Sequence, residues 1–236
     1  MRGLVLLLFF CYSLSHAQNR QCFSQKYPKH YCNALNWLSE KYSFADSVIR
    51  HFGLETQDVL SIGLPECSRF SDVSNFFECT SNHYFYVTLG SEYSNFSVGR
   101  FQMKPSFIEQ LEKYISNEKN LSAYHKYINH NLRKDEKITR KERLARLASE
   151  EWQLIYLCAV YSYLEFKYKN KKWLNKEEKI EFFALAYNRG FWHNEDDIFR
   201  WKNICLFPSG RTDSINNYTY GEVALEFLNY LKNLKS

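Results

Sequence analysis

The sequence predicts an all-α protein, α+β at most, and three observations carry that prediction. From Asn33 onward apolar residues recur at the spacing of a helix face and not in strict alternation. The punctuation is that of helix ends, with Ser, Thr, Asp or Asn ahead of apolar runs and Gly or Pro behind them, where a β protein would show hairpin turns. One stretch, from Trp152 to Phe166, is apolar around most of its circumference and is expected to form a long buried central helix.

Taken in chain order, the first element is an export signal. Arg2 supplies a positive start, Leu4 to Phe10 an unbroken apolar run, and Ser15-His16-Ala17 a small-residue cleavage site, so residues 1–17 read as a signal peptide removed before Gln18. A lipoprotein signal using Cys11 is the alternative, but Phe9 and Phe10 stand where small residues are wanted. The mature chain is expected to be secreted or periplasmic and to lack a membrane span. Residues 18–236 show neither an internal repeat nor a linker and are expected to form a single domain.

Ala34, Leu35, Trp37 and Leu38 open a helix that Val48, Ile49 and Phe52 continue to a stop at Gly53. Thr56 is expected to cap the next, carrying Val59, Leu60 and Ile62 towards Pro65-Glu66. Asp72 begins another through Val73, Phe76 and Phe77, ending near Gly90, and the polar and glycine residues from Ser91 to Met103 then predict a loop or small hairpin. Pro105 suits the first turn of a helix through Phe107, Ile108, Leu111 and Tyr114, and further helix begins near Ser122. Eight basic and three acidic residues lie between Lys126 and Arg146. They read as a solvated helix face, with an anionic polymer as the other explanation, and Thr139 with Glu142 as its capping box. Ser149, Glu150 and Glu151 suit the positive start of the central helix. Asn175 and Glu178 cap a helix carrying Ile180, Phe182, Phe183, Leu185 and Tyr187, with Gly190 just past its end, and a last helix runs from about Tyr220 to Leu234.

Composition narrows the functional classes. With 31 Lys+Arg against 26 Asp+Glu, the net charge of +5 is too mild and too dispersed to make nucleic acid the leading partner. Beyond residue 17 six cysteines remain, Cys22, Cys32, Cys67, Cys79, Cys158 and Cys205, an even number that an oxidising compartment could pair. Cys22 with Cys32 and Cys67 with Cys79 are nearest in sequence, while Cys158 reads as a small buried hydrophobe. No zinc-type Cys/His spacing, Gly-x-Ser-x-Gly elbow, phosphate-binding glycine loop or His-Glu-x-x-His occurs. No metal and no cofactor are expected. His193, Glu195, Asp196 and Asp197 could gather round a cation, but an acidic first helical turn explains them better. Asn95-Phe-Ser97, Asn120-Leu-Ser122 and Asn217-Tyr-Thr219 are glycosylation sequons only in a eukaryotic setting.

Three segments carry the candidate chemistry. Asp58 to Phe70 is an apolar helix that delivers Glu66 at its end. Ser97-Val-Gly-Arg-Phe-Gln102-Met is a glycine loop ending in an amide, and Ala186-Tyr187-Asn188-Arg-Gly190 closes a helix with a phenol and an amide. In this order they resemble the lysozyme-like fold of soluble lytic transglycosylases and goose-type lysozymes. That family has a helix with the catalytic Glu and a nearby aromatic, then a Gly-x-x-Gln loop, then an Ala-Tyr-Asn-x-Gly segment. The resemblance spans about Val59 to Gly190. It implies cleavage of peptidoglycan between N-acetylmuramic acid and N-acetylglucosamine, with Glu66 as general acid and then base.

The chemistry explains these residue types. A leaving oxygen must be protonated near neutral pH, so the acid needs a carboxyl group whose pKa desolvation has raised. Leu60, Ile62, Leu64 and Phe70 would supply that apolar setting, and Ser97, Gln102, Tyr187 and Asn188 would bind the sugar. Two departures from the family stand out: Cys67 follows the Glu where the pattern has Ser, and the interval from Glu66 to Gln102 is long. An inserted helix over about Asp72–Leu89 accounts for the interval. If that helix is the aligned one, Glu92 becomes the acid. Glu78, Glu92 and Asp72 are the candidates for a second carboxylate. A glycan-binding protein that kept the groove and lost the chemistry is the reading from another class, and a disulfide-bonded interaction protein is a third. The sequence leaves the oligomeric state open.

Overall fold

The computed structural model describes residues 21–128, 130, 135–210 and 217–234, without the side chains of Val73 and Phe76. The signal peptide expected over 1–17, with Cys11 in it, lies outside the described residues. The described residues are mostly helical and form no sheet, as expected. Among the described residues the only strand-like pairings are two isolated bridges, Val98 with Met103 and Phe207 with Tyr218. No helix among them is long and apolar enough to cross a membrane.

The elements are α1 (Phe23–Lys26), α2 (Pro28–His51), α3 (Thr56–Arg69), α4 (Asp72–Ser81), a π-helical turn (Asn82–Tyr86), α5 (Val87–Leu89), α6 (Pro105–Ser116), a 3₁₀ turn (Lys119–Leu121), α7 (Ser122–Ile128), α8 (Glu136–Leu147), α9 (Glu150–Lys167), α10 (Lys176–Arg189), α11 (Glu195–Trp201) and α12 (Tyr220–Asn233). Pro28 at the first position of α2 starts that helix ahead of Asn33, because a fixed φ and a missing N–H suit a helix start. Gly53, at φ 70°, turns the chain out of it.

Helix α3 organises the molecule. It packs against α2, α12, α10 and α9 and is buried almost end to end. It differs from expectation at its start. Thr56 is not its cap, since Glu55 holds that position and the Thr56 hydroxyl donates to the Asp46 carboxylate of α2. At its other end the helix runs past Pro65-Glu66 to Arg69, in line with the Asp58–Phe70 helix expected, and α2 satisfies its last carbonyls. Asn33 Nδ2 donates to the Phe70 carbonyl at 2.9 Å, and the His30 ring meets the Ser68 carbonyl at 3.1 Å. Mid-helix, Gly63 lets α9 come close, for a Cβ there would lie 2.9 Å from both Leu157 and Phe101.

Helix α9 is the expected buried helix, N-capped by Ser149. Helix α8 is capped by Asp135, so the Thr139–Glu142 box is not formed: Thr139 lies inside the helix, and Glu142 pairs with Arg146 at 2.5 Å. Its basic face is only partly solvated, because Arg143 and Arg146 are buried. The box expected at Asn175 is half made: the Asn175 side chain accepts from the Glu178 N–H, but Glu178 reaches back to the Leu174 N–H at 2.6 Å. A complete box occurs instead at α12, between Thr219 and Glu222. The acids near His193 form the first turn of α11, with Asn194 as cap.

The expected disulfides are absent: all six cysteines of the described residues are free thiols. Cys67 and Cys158 serve as small core residues, and burial raises both thiol pKa values. Cys79 hydrogen-bonds Asn75 at 3.7 Å, and Cys22 lies 3.2 Å from the Ser24 hydroxyl.

Candidate active site

Glu66 occupies the last turn of α3, and because that helix is embedded the carboxyl group is only 8% exposed. Its partners are few. Asn188 Nδ2 donates to Oε1 at 3.3 Å, and Arg69 Nη1 stands 3.8 Å from Oε2. Burial raises its pKa, and the opposing pull of Arg69, Asn188 and Lys104 does not cancel the rise. The group is therefore poised to hold a proton at pH values where an exposed carboxylate has lost it.

The end of α10 supplies the second wall. Tyr187 donates its hydroxyl to the Phe101 carbonyl at 2.6 Å, so the phenol fixes the glycine loop while its ring borders the site. Asn188 is held from behind by Trp201, whose Nε1 donates to Oδ1 at 2.9 Å, and this leaves its amide N–H₂ directed at Glu66. Gly190 ends the helix at φ 116°, and a Cβ there would lie 2.8 Å from the Trp192 ring, which folds over it into the site.

The third wall is the loop that follows Ser97. Val98 pairs with Met103 across a turn in which Gly99 has φ 72° and Gln102 has φ 50°, a left-handed conformation rarely adopted outside glycine and asparagine. Gln102 Nε2 closes the turn on the Gly99 carbonyl at 2.8 Å. Gln153 of α9, 1% exposed, bolts the loop from inside: its Oε1 accepts from the Phe101 N–H at 2.9 Å and its Nε2 donates to the Val98 carbonyl at 3.2 Å. At Gly99 a Cβ would fall 1.4 Å from Gln153 Nε2, so only glycine fits.

These walls enclose a cavity of about 450 Å³. Five of the residues singled out in the sequence line it together: Glu66, Ser97, Gln102, Tyr187 and Asn188. Two are elsewhere. Phe70 does not reach it, because the chain leaves α3 at that point and the Phe70 ring lies 4.0 Å beneath the Arg100 guanidinium. Glu92 is exposed and lines a neighbouring groove with Glu78; Asp72 lines neither. Among the described residues Glu66 is the single carboxylate lining the cavity, where Arg69, Lys104 and Arg189 supply positive charge. Those cations, Trp192 and the loop anchor Gln153 escaped the sequence reading. A lone amide in an otherwise apolar helix was the available signal for Gln153, since a buried amide must find partners.

No family model, curated protein or solved structure matches the chain. The geometry therefore carries the chemical argument alone. A neutral carboxyl group in a cavity can donate a proton, and its conjugate base, bounded by cations and an amide, can take one back. No group of three or more His, Cys, Asp or Glu able to hold a metal ion occurs among the described residues.

Proposed function

We propose that the protein is an exported, lysozyme-like enzyme that cleaves peptidoglycan between N-acetylmuramic acid and N-acetylglucosamine. The observation that carries the proposal is the meeting of Glu66, the Gln102 loop and Tyr187-Asn188 around one cavity in which Glu66 is the only carboxylate among the described residues. Glu66 gives its proton to the glycosidic oxygen as the bond from that oxygen to the anomeric carbon breaks. The oxocarbenium-like centre is then attacked by a hydroxyl, whose proton returns to Glu66. Attack by the sugar's own 6-hydroxyl needs no second carboxylate and gives a 1,6-anhydro end, as in lytic transglycosylases. Attack by water gives a reducing end, as in a muramidase. The cavity, with one acid and three cations, favours the first route and a substrate that itself carries carboxylates.

A glycan-binding protein that has lost the chemistry is the second reading, and the Cys67 that follows Glu66 is the observation behind it. The cysteine is 1% exposed and does not line the cavity, which weakens that reading. The test is incubation of purified sacculi with the wild type and with the Glu66→Gln and Glu92→Gln variants, followed by mass spectrometry of soluble products. Anhydro-muropeptides that disappear only with Glu66→Gln are expected. Loss with Glu92→Gln alone would move the acid, and binding without release by the wild type would leave the glycan-binding reading.

A further inference from the structure

Beside the cavity around Glu66 lies a second compartment of about 420 Å³ over the loop 91–97, and Asn95, Ser97 and Lys104 line both. The two differ in character. Among the described residues Lys104 is the one cation lining the second compartment, against the carboxylates Glu78 and Glu92, and Tyr93 and Phe96 stand at its edge 68% and 50% exposed. Large aromatic rings so open to water on a polar rim are costly unless a ligand covers them.

The loop that presents them is rigid. Asn82, fully buried at the start of the π-helical turn, clamps it with three hydrogen bonds. Its Nδ2 donates to the Phe96 carbonyl at 2.8 Å, and its Oδ1 accepts from the Ser94 hydroxyl at 2.8 Å and from the Phe96 N–H at 3.2 Å. Asn95 is tied in turn to Ser106 at the start of α6, through the Ser106 N–H at 3.0 Å and its hydroxyl at 2.7 Å. A π-turn inside a helix is itself a common mark of functional sites. Rings held this way lose little freedom when a ligand docks on them.

We propose that this second compartment is an extension of the glycan groove, in which further sugar rings of the strand stack on Tyr93 and Phe96 and give hydroxyl hydrogen bonds to Glu78 and Glu92. The proposal rests on the glycan reading of the Glu66 cavity. A pyranose ring offers what the compartment is built to receive, an apolar C–H face for an aromatic ring and a belt of hydroxyls for carboxylates. The inserted helix over about Asp72–Leu89, which lengthens the path from Glu66 to Gln102, thereby acquires a role: through Asn82 it holds a platform that makes the protein select long strands over short fragments.

The test is binding, measured by calorimetry or tryptophan fluorescence, of glycan strands stripped of their peptides and sorted into tetrasaccharides and long strands. The proteins are Glu66→Gln and Glu66→Gln carrying Tyr93→Ala and Phe96→Ala, with circular dichroism to confirm folding. Long strands are expected to bind Glu66→Gln about tenfold more tightly than tetrasaccharides, and the triple variant to lose that advantage. Asn82→Ala, which frees the loop without removing either ring, is expected to lose part of it. Equal binding of the two lengths, or an advantage that survives the triple variant, overturns the extension. So does an advantage that appears only when the peptides are left on the strand. If wild-type protein releases no product from sacculi while the length advantage holds, the catalytic reading fails and the extension stands. If neither length binds, both fail.

Discussion

Glu66 and Glu112 are equally buried, each 8% exposed, yet their carboxyl groups are displaced in opposite directions. Burial pushes both up. At Glu112 hydrogen bonds outweigh it: the His130 ring donates from Nε2 at 2.9 Å, Arg143 donates from Nε at 3.0 Å and from Nη2 at 2.6 Å, and the carboxyl group is held below its usual range. At Glu66 one amide at 3.3 Å and one guanidinium at 3.8 Å leave the desolvation unbalanced. The first arrangement welds α6 to α8 and extends through Arg143 to Glu109 at 3.3 Å and to the Tyr86 hydroxyl. The second leaves a reactive group under-paired at the edge of a cavity. What separates a structural carboxylate from a candidate acid is thus the count and closeness of donors, with depth held constant.

The comparison breaks most sharply through activity. Glu66→Gln keeps the shape and the Asn188 contact but cannot donate a proton, so release of muropeptides is expected to fall by about 10³-fold. Stability should move the other way. A carboxyl group whose folded pKa is raised favours the folded state at low pH and weighs against it as pH rises through the interval between the unfolded and folded values. Glu66→Gln should therefore be more stable than the wild type at neutral pH, with the difference closing in acid. A variant that is both inactive and less stable at pH 7 would make Glu66 a structural residue.

The matching experiment on the other side is Arg143→Leu, which leaves Glu112 and the Tyr86 hydroxyl buried without their main partner. It is expected to destabilise the fold by about 3–5 kcal/mol in chemical denaturation. The wild-type contribution of Glu112 has the opposite pH sign to that of Glu66. It is fully present above the unfolded carboxylate value and disappears as pH falls through the depressed folded value. An Arg143→Leu protein within 1 kcal/mol of the wild type would show that the cluster is not what holds α6 to α8.

A smaller effect tests whether the loop wall is as fixed as its hydrogen bonds imply. Gln153→Leu removes an amide that serves two loop backbone groups, and is expected to lose about 1–3 kcal/mol and to lower activity through misplaced Gln102. If stability falls while activity on sacculi is unchanged, the loop position does not matter to the chemistry.

The contrast between the two carboxylates was only half visible in the sequence. Glu66, Gln102, Tyr187 and Asn188 could be found because their order along the chain carries information that no one of them carries alone. Phe70 was misplaced because the chain leaves α3 there and the ring turns to the Arg100 guanidinium, a tertiary partner that nothing local to Phe70 reports. Thr56 and Thr139 look like caps by residue type, but Glu55 and Asp135 hold the cap positions and Asp46 takes the Thr56 hydroxyl. Arg143 was hidden within a basic run that reads as solvated, since charge patterning does not show which member turns inward to meet Glu112. The cysteines show the same limit, because their even number says nothing about which faces of which helices they occupy. Helical periodicity is a local property and was legible; the depth and pairing of single polar groups are tertiary and were not.

The finest test concerns Arg69, the nearest cation to Glu66. Its charge lowers the acid's pKa against the upward push of burial, so Arg69→Gln should raise that pKa further and move the alkaline limb of the kcat/KM profile to higher pH. The shift should be modest, since the Arg69 side chain is 39% exposed and water and salt screen it. Added salt should move the wild-type limb in the same direction and leave the variant less affected. A limb that moves to lower pH on removing Arg69, or that ignores both changes, would mean that the titrating group in the cavity is not Glu66. The counterpart, Lys104→Gln, shifts the limb the same way if Lys104 acts on Glu66 by charge alone, and the sum of the two shifts measures how far burial by itself sets the acid.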